Sequence, residues 1–168
     1  MRVTAAFNKM LALVGACVSK VVFEADVIVV SVRLRRFKLL CPYCEFETWH
    51  RYDTRPVDST WRALDLGAWK VTVAARLRRL RCPEHGVVVE GVPFARPGSR
   101  FVADFEDLVA WLATKMDKTS VTRLCRIDWR TVGAVVARVV ADKLDPARLD
   151  GLYDIGIDEV AYRRAISI

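Results

Sequence analysis

The chain has 168 residues, 53% of them hydrophobic and 28% charged, a balance that excludes a disordered polymer and allows a buried core. Its formal charge of +7 favours an anionic partner, a nucleic acid or a membrane surface, and is silent on fold. No apolar run approaches the ~20 residues that span a bilayer, and the odd count of five cysteines argues against a secreted disulfide framework.

The first element has two readings. Met10–Cys17 follows Lys9 in the manner of a short export signal ending in a cysteine; the simpler reading is an apolar segment that leads into the first strand and packs on it. Residues 18–35 predict a β-hairpin, with Glu24–Asp26 as its turn. In its second arm, Ile28, Val30, Val32 and Leu34 share one face and Val27, Val29, Ser31 and Arg33 the other. Residues 69–80 predict one further strand. Trp69, Val71, Val73, Ala75 and Leu77 line its apolar face, and Lys70, Thr72, Arg76 and Arg78 its basic face. Val87–Glu90 is a short strand after a glycine. Pro93, Pro97 and Gly98 then mark a boundary, beyond which the period becomes helical. Phe105, Leu108, Val109 and Leu112 form one helical face, one turn after Phe101, with Asp104 as the expected N-cap.

Two pairs of metal-binding residue types sit where the chain leaves a strand. They are Cys41-Pro-Tyr-Cys44 and Cys82-Pro-Glu-His85-Gly86. Each pair is spaced to aim both side chains at one point. Together Cys41, Cys44, Cys82 and His85 supply four ligands, which suits structural, tetrahedral Zn2+ with no open position. Such an ion would staple a sheet with a thin core. Residues 45–81 between the pairs read as an inserted hairpin. His50 lies among polar and aromatic residues and reads as a surface residue or nucleic-acid contact rather than a fifth ligand. Cys17 and Cys125 have apolar neighbours and read as small core side chains.

Basic tracts precede both pairs, Arg33–Lys38 and Arg76–Arg81. Brought together by the metal, Arg33, Arg35, Arg36, Arg76, Arg78 and Arg79 would face a phosphate backbone. Residues 118–140 predict two helices joined at the apolar residue Ile127. Thr119 or Ser120 is the expected cap of the first, and Asp128 of the second. The second helix has a buried stripe of Val132, Val135, Val136 and Val139. A helix-turn-helix places the N-terminal residues of its second helix against base edges. Arg130 and Thr131 are the candidate base contacts, and Arg123 and Arg126 the candidate phosphate contacts.

The order "CPYC", basic strand, "CPEHG", helix-turn-helix and "IGIDEVAYRR" resembles the ISL3 family of bacterial insertion-sequence transposases. The resemblance implies an α+β chain in three parts. Residues 1–92 would be a small β-rich zinc-binding domain and 100–145 a helix-turn-helix DNA-binding domain. Residues 152–168 would be the first strand of an incomplete RNase H-like domain. Asp158 would match the first carboxylate of the family's Asp-Asp-Glu catalytic set. Mg2+ would enter only with the completed domain, since one carboxylate cannot hold two metals about 4 Å apart. Family members continue past "YRR" with a glycine-containing turn and a second strand; here Ala165–Ile168 follow. The expectation is a truncated transposase that binds the terminal inverted repeats of its element. It would work at nucleoid DNA in the bacterial cytoplasm, with no membrane role, as a dimer or together with a full-length transposase. The competing readings are a zinc-dependent regulatory or protein-interaction module, and one half of a split, active enzyme.

Overall fold

The computed structural model describes residues 2–151 and Tyr153. The chain runs α1 (Val3–Leu11), β1 (Ala16–Phe23), β2 (Val27–Leu34), β3 (Leu39–Leu40), β4 (Glu47–Thr48) and β5 (Asp53–Thr54). It continues β6 (Ser59–Leu66), β7 (Trp69–Ala75), β8 (Arg78–Cys82), β9 (Gly86–Val89), α2 (Ala103–Ala113), α3 (Lys118–Cys125) and α4 (Trp129–Lys143). The strands form a four-stranded sheet in the order β1-β2-β7-β6, a β3-β4 pair, and a three-stranded sheet in the order β5-β8-β9. The architecture is mixed α+β. Asp158 and the strand expected around it lie outside the described residues.

The β1–β2 hairpin forms as its alternation predicts, antiparallel from Ala16↔Leu34 to Phe23↔Ile28. Ile28, Val30 and Val32 are buried, whereas Val27, Val29 and Ser31 are half-buried. β7 lies parallel to β2, setting Val30 beside Val73, and returns from β6 through the tight turn Gly67-Ala68. Gly67 has φ +61°, in the left-handed region that favours glycine. So the segment between the two ligand pairs supplies both inner and edge strands of the main sheet. β6 was not expected. Its Trp61 and Ala63 are buried, while Arg62 and Asp65 pair with each other at 2.6 Å.

One expectation needs correction here. Residues 69–80 form two strands in different sheets. The strict alternation ends where Val73, Ala74 and Ala75 are all buried, and Arg78 turns inward onto Glu90 to begin β8. The segment before β1 packs on that strand, as the simpler reading expects, and is helical through Leu11. α1 buries Phe7, and the Asn8 Oδ1 accepts a 2.8 Å hydrogen bond from the Val18 N–H, beside a bulge between Val18 and Lys20.

The helices pack on the sheet's core. Trp61 meets Phe94 edge to face at 5.1 Å, and Phe101 stacks on Phe105 at 5.0 Å. The free edge of β6 is covered where the Arg62 N–H donates to the Arg100 carbonyl and the Val102 N–H to the Arg62 carbonyl. The predicted helical face of α2 is corrected at two places. Val102 occupies the N-cap position, and Asp104 lies in the first turn, where its charge suits the helix dipole. Leu108 is exposed and Glu106 is fully buried, because Glu106 bonds Arg96, Arg138 and the Ser99 hydroxyl. α3 is capped by Asp117, whose carboxylate accepts from the Ser120 N–H at 3.0 Å; neither Thr119 nor Ser120 caps it.

Candidate metal centre and helix-turn-helix

Cys41 follows β3, and its N–H donates to the Phe46 carbonyl, which folds the chain back past Cys44 into β4. Cys82 ends β8, and His85 sits in the turn into β9, where Gly86 adopts φ +68°. The donor atoms of Cys41, Cys44, Cys82 and His85 all lie within 4.8 Å of one another. Cys41 Sγ and His85 Nδ1 are 3.7 Å apart, Cys44 Sγ and Cys82 Sγ 3.6 Å, and Cys82 Sγ and His85 Nδ1 3.6 Å. Zn–S bonds of about 2.3 Å and Zn–N bonds of about 2.0 Å in a tetrahedron put donor atoms about 3.5–3.8 Å apart. The set therefore fits the ion. It does not fit a disulfide, whose sulfurs stand about 2.05 Å apart. Among the described residues, Leu39, Cys41, Leu80 and Cys82 form the buried cluster under this site. So small a core needs a further cross-link.

Protons are unevenly held within the set. Burial disfavours the Cys82 thiolate, but the N–H groups of His85 and Glu84 and the His85 ring hold its thiol down at about 6. At Cys44 the Phe46 N–H favours the thiolate; burial and the neighbouring Cys82 and Cys41 outweigh it and push the thiol up to about 11. A divalent cation would stabilise all three thiolates together and displace their protons.

The two basic tracts do come side by side, through Arg78. Its guanidinium donates to the carbonyls of Phe37 and Arg36 at 3.1 and 3.2 Å, and to the Glu90 carboxylate at 2.6 Å. Arg78 is thereby turned inward. Arg79 pairs with Asp53, and Arg76 with Asp58 at 2.5 Å. Arg33, Arg35 and Arg36 are exposed and make no ion pair among the described residues. His50 is exposed and is not one of the four donors. Sequence reasoning missed two exposed aromatic rings nearby. Lys38 lies over Trp49 at 5.5 Å, and Arg79 and Arg81 lie over Tyr52 at 5.8 and 5.6 Å.

α3 and α4 form the predicted pair. Val121, Cys125, Val132, Val135 and Val139 are buried, and Ile127 packs against them from the turn. Arg126 closes α3 at φ +53°, pairs with Asp65, and donates to the Ala68 carbonyl at 3.0 Å, so the turn is docked on the β6–β7 hairpin. Asp128 caps α4 as expected, accepting from the Thr131 N–H at 2.9 Å. The Thr131 hydroxyl also donates to Asp128. Arg123 and Arg130 are exposed and carry no ion pair among the described residues. Trp129, also exposed, lies off the buried stripe of α4 as its sequence position implies, and was not among the expected DNA contacts. Lys118 covers it at 3.2 Å.

Residues 39–85 match the zinc-finger of transposase IS204/IS1001/IS1096/IS1165, and residues 90–140 the helix-turn-helix domain of transposase family ISL3. Two curated relatives are each named transposase for insertion sequence element IS1557. They come from Mycobacterium tuberculosis strains CDC 1551 / Oshkosh and ATCC 25618 / H37Rv. Each is 49% identical over 107 residues, which cover 62% of this chain and 24% of the relative. The matched stretch thus spans about a quarter of the length of those relatives. No solved structure matches. The ligand set lies within or at the edge of the zinc-finger match, so its fit to a structural zinc ion and the likeness agree. The knuckle pair and the capped helix pair lie in the two matched segments, so residues 39–85 and 90–140 are similar to the zinc-finger and helix-turn-helix domains of ISL3-type transposases.

Proposed function

We propose that this chain binds DNA sequence-specifically through α3 and α4, at the terminal repeats of an insertion sequence. The observation that carries the reading is Arg130. It stands exposed in the first turn of α4 and has no ion pair among the described residues, while Val132, Val135 and Val139 anchor the same helix in the core. An N-terminal arginine on the second helix of such a pair reaches guanine edges in the major groove. Lys115, Lys118 and Arg123 add positive charge nearby, and Asp117 and Asp128 are committed as caps. Zinc is structural in this reading. Arg33, Arg35 and Arg36 provide phosphate contacts from the other end of the fold.

The test is a titration of the terminal repeat against a shuffled duplex at fixed salt, with zinc and after chelation. A zinc-dependent preference for the repeat is expected. Arg130→Ala should relax discrimination at one base pair by about 1–3 kcal/mol. Equal, weak binding to both duplexes overturns the proposal. Self-association and pairing with a full-length transposase belong to the same proposal, and sedimentation of the DNA complex reads them out. Catalysis is proposed only for a chain that joins Asp158 to further carboxylates and Mg2+; a strand-transfer assay on the chain alone tests this, with no product expected. Among the described residues no helix is long and apolar enough to cross a membrane.

A further inference from the structure

Trp129 opens α4 and is 59% exposed. The outward positions that follow it are Gly133, Ala134 and Ala137. Beyond the first turn, then, this face carries no long side chain until the helix is well past its middle, and Trp129 and Arg130 are the groups that project. The indole is held in place. Lys118, the first residue of α3, sets its ammonium 3.2 Å from the ring centroid. Gly133 leaves room for that ammonium, since a Cβ there would stand 3.3 Å from the same nitrogen. One face of the ring is covered by a cation from the neighbouring helix, and the rest of the side chain meets solvent.

We propose that Trp129 is a specificity-determining residue that reads the C5-methyl group of a thymine in the major groove, next to the base pair met by Arg130. The inference rests on the DNA-binding reading above and deepens it. An indole offers one donor and a large apolar surface. Among the edges in the major groove only thymine presents an apolar group; the others present donors and acceptors that would lose water against the ring without gaining a partner. A ring already fixed by Lys118 gives up little freedom on covering that methyl. The short side chains of Gly133, Ala134 and Ala137 let the helix come close enough for the contact.

The zinc-loaded chain is used to select its preferred duplex from a random pool. Each thymine of that duplex is then replaced singly by deoxyuridine, which removes one methyl group and nothing else. Wild type, Trp129→Ala and Trp129→Gln are titrated at one salt concentration. One thymine is expected whose replacement weakens wild-type binding about fourfold, as for one buried methyl group. The same replacement should cost nothing in either variant. Thymines that are all indifferent in wild type, or a sensitive thymine that stays equally sensitive in both variants, overturn this inference alone. Failure to select any duplex overturns the DNA-binding reading and this inference with it.

Discussion

Cys82 and Arg126 show how differently single residues can be read. The clustering of the four candidate ligands was legible because Cys41 and Cys44, and Cys82 and His85, each stand at the spacing of a metal knuckle, a local pattern. The partner of Arg126 was not legible, because Asp65 is 61 positions away and only the fold brings it near. Cys82→Ser should abolish stoichiometric zinc, since a hydroxyl is a poor substitute for a thiolate and so small a buried cluster cannot hold the ribbon alone. Metal analysis checks the first effect. Loss of amide protection in β3, β4, β8 and β9 checks the second, and retained metal would refute both. Arg126, a candidate phosphate contact, pairs with Asp65 and has a left-handed backbone. That backbone costs about 1–2 kcal/mol for a non-glycine residue. The ion pair has side chains 37% and 20% exposed and, screened by solvent, returns about 0–1 kcal/mol. The change also removes the bond to the Ala68 carbonyl, worth about 1 kcal/mol, so Arg126→Gly should leave thermal stability unchanged to within about 1 kcal/mol. It should also leave the salt dependence of DNA binding intact. Arg123→Ala should lower the slope of log K against log salt by about one. An equal drop in Arg126→Gly would mean that Arg126 leaves Asp65 for the backbone of the duplex.

Among the elements, β2 and α4 were legible because alternation in the one and a valine stripe in the other run through most of their length, whereas β1, whose alternation is broken by the bulge between Val18 and Lys20, was legible as the β-branched run before the Glu24–Asp26 turn. β6 was not, since Arg62, Leu64 and Asp65 interrupt its buried residues and its Arg–Asp pair is satisfied only after folding. The division between β7 and β8 was hidden because an apolar face continues through Leu77 while the pairing partner changes. Caps were legible in kind and less so in position. Asp128 was identified, and Asp117 lies two residues before the nearer of the expected caps, Thr119. Bonds from the Thr131 hydroxyl and N–H hold the Asp128 carboxyl below its ordinary 3.8, and bonds from the Ser120 hydroxyl and N–H do the same for Asp117. Both folded values are depressed. The capping contribution is therefore full above 3.8 and is lost as pH falls through the lower folded values. The Thr131 amide resonance should titrate with a midpoint below 3.8. In Asp128→Asn, which keeps an acceptor oxygen and cannot ionise, that titration should vanish. A wild-type midpoint at or above 3.8 would show that the cap bond does not favour the charged form.

At the scale of the whole molecule, the proline-rich segment read as a boundary also carries contacts. Phe94 packs on Trp61, residues 100–102 cover the edge of β6, and Arg96 enters a buried ionic cluster. Glu106 is the centre of that cluster, with no exposure. Its carboxylate accepts from Ser99 at 2.7 Å, Arg96 at 3.3 Å and Arg138 at 2.7 Å, joining the segment before α2 to α2 and to α4. Arg96 has Asp107 and Asp142 as further partners, whereas Arg138 has no other acid among the described residues. Removing one member of a buried pair costs about 3–5 kcal/mol, because the remaining charge stays desolvated. That is a large part of the ~5–15 kcal/mol by which a domain is stable. Glu106→Ala should therefore lower the denaturation midpoint severely. Glu106→Gln, which keeps an acceptor for Ser99 and loses the charge, should fall between it and wild type. Both are measured by urea unfolding at saturating zinc, following indole fluorescence and helical circular dichroism together. Because the sheet and the helices share Trp61, Phe94, Val102 and Phe105 in one core, the two signals should move to lower urea as a single transition. Two separated transitions in Glu106→Ala, with only the helical signal shifted, would instead make α2–α4 a unit that folds apart from the sheet and confine the effect of Glu106 to the orientation of α4.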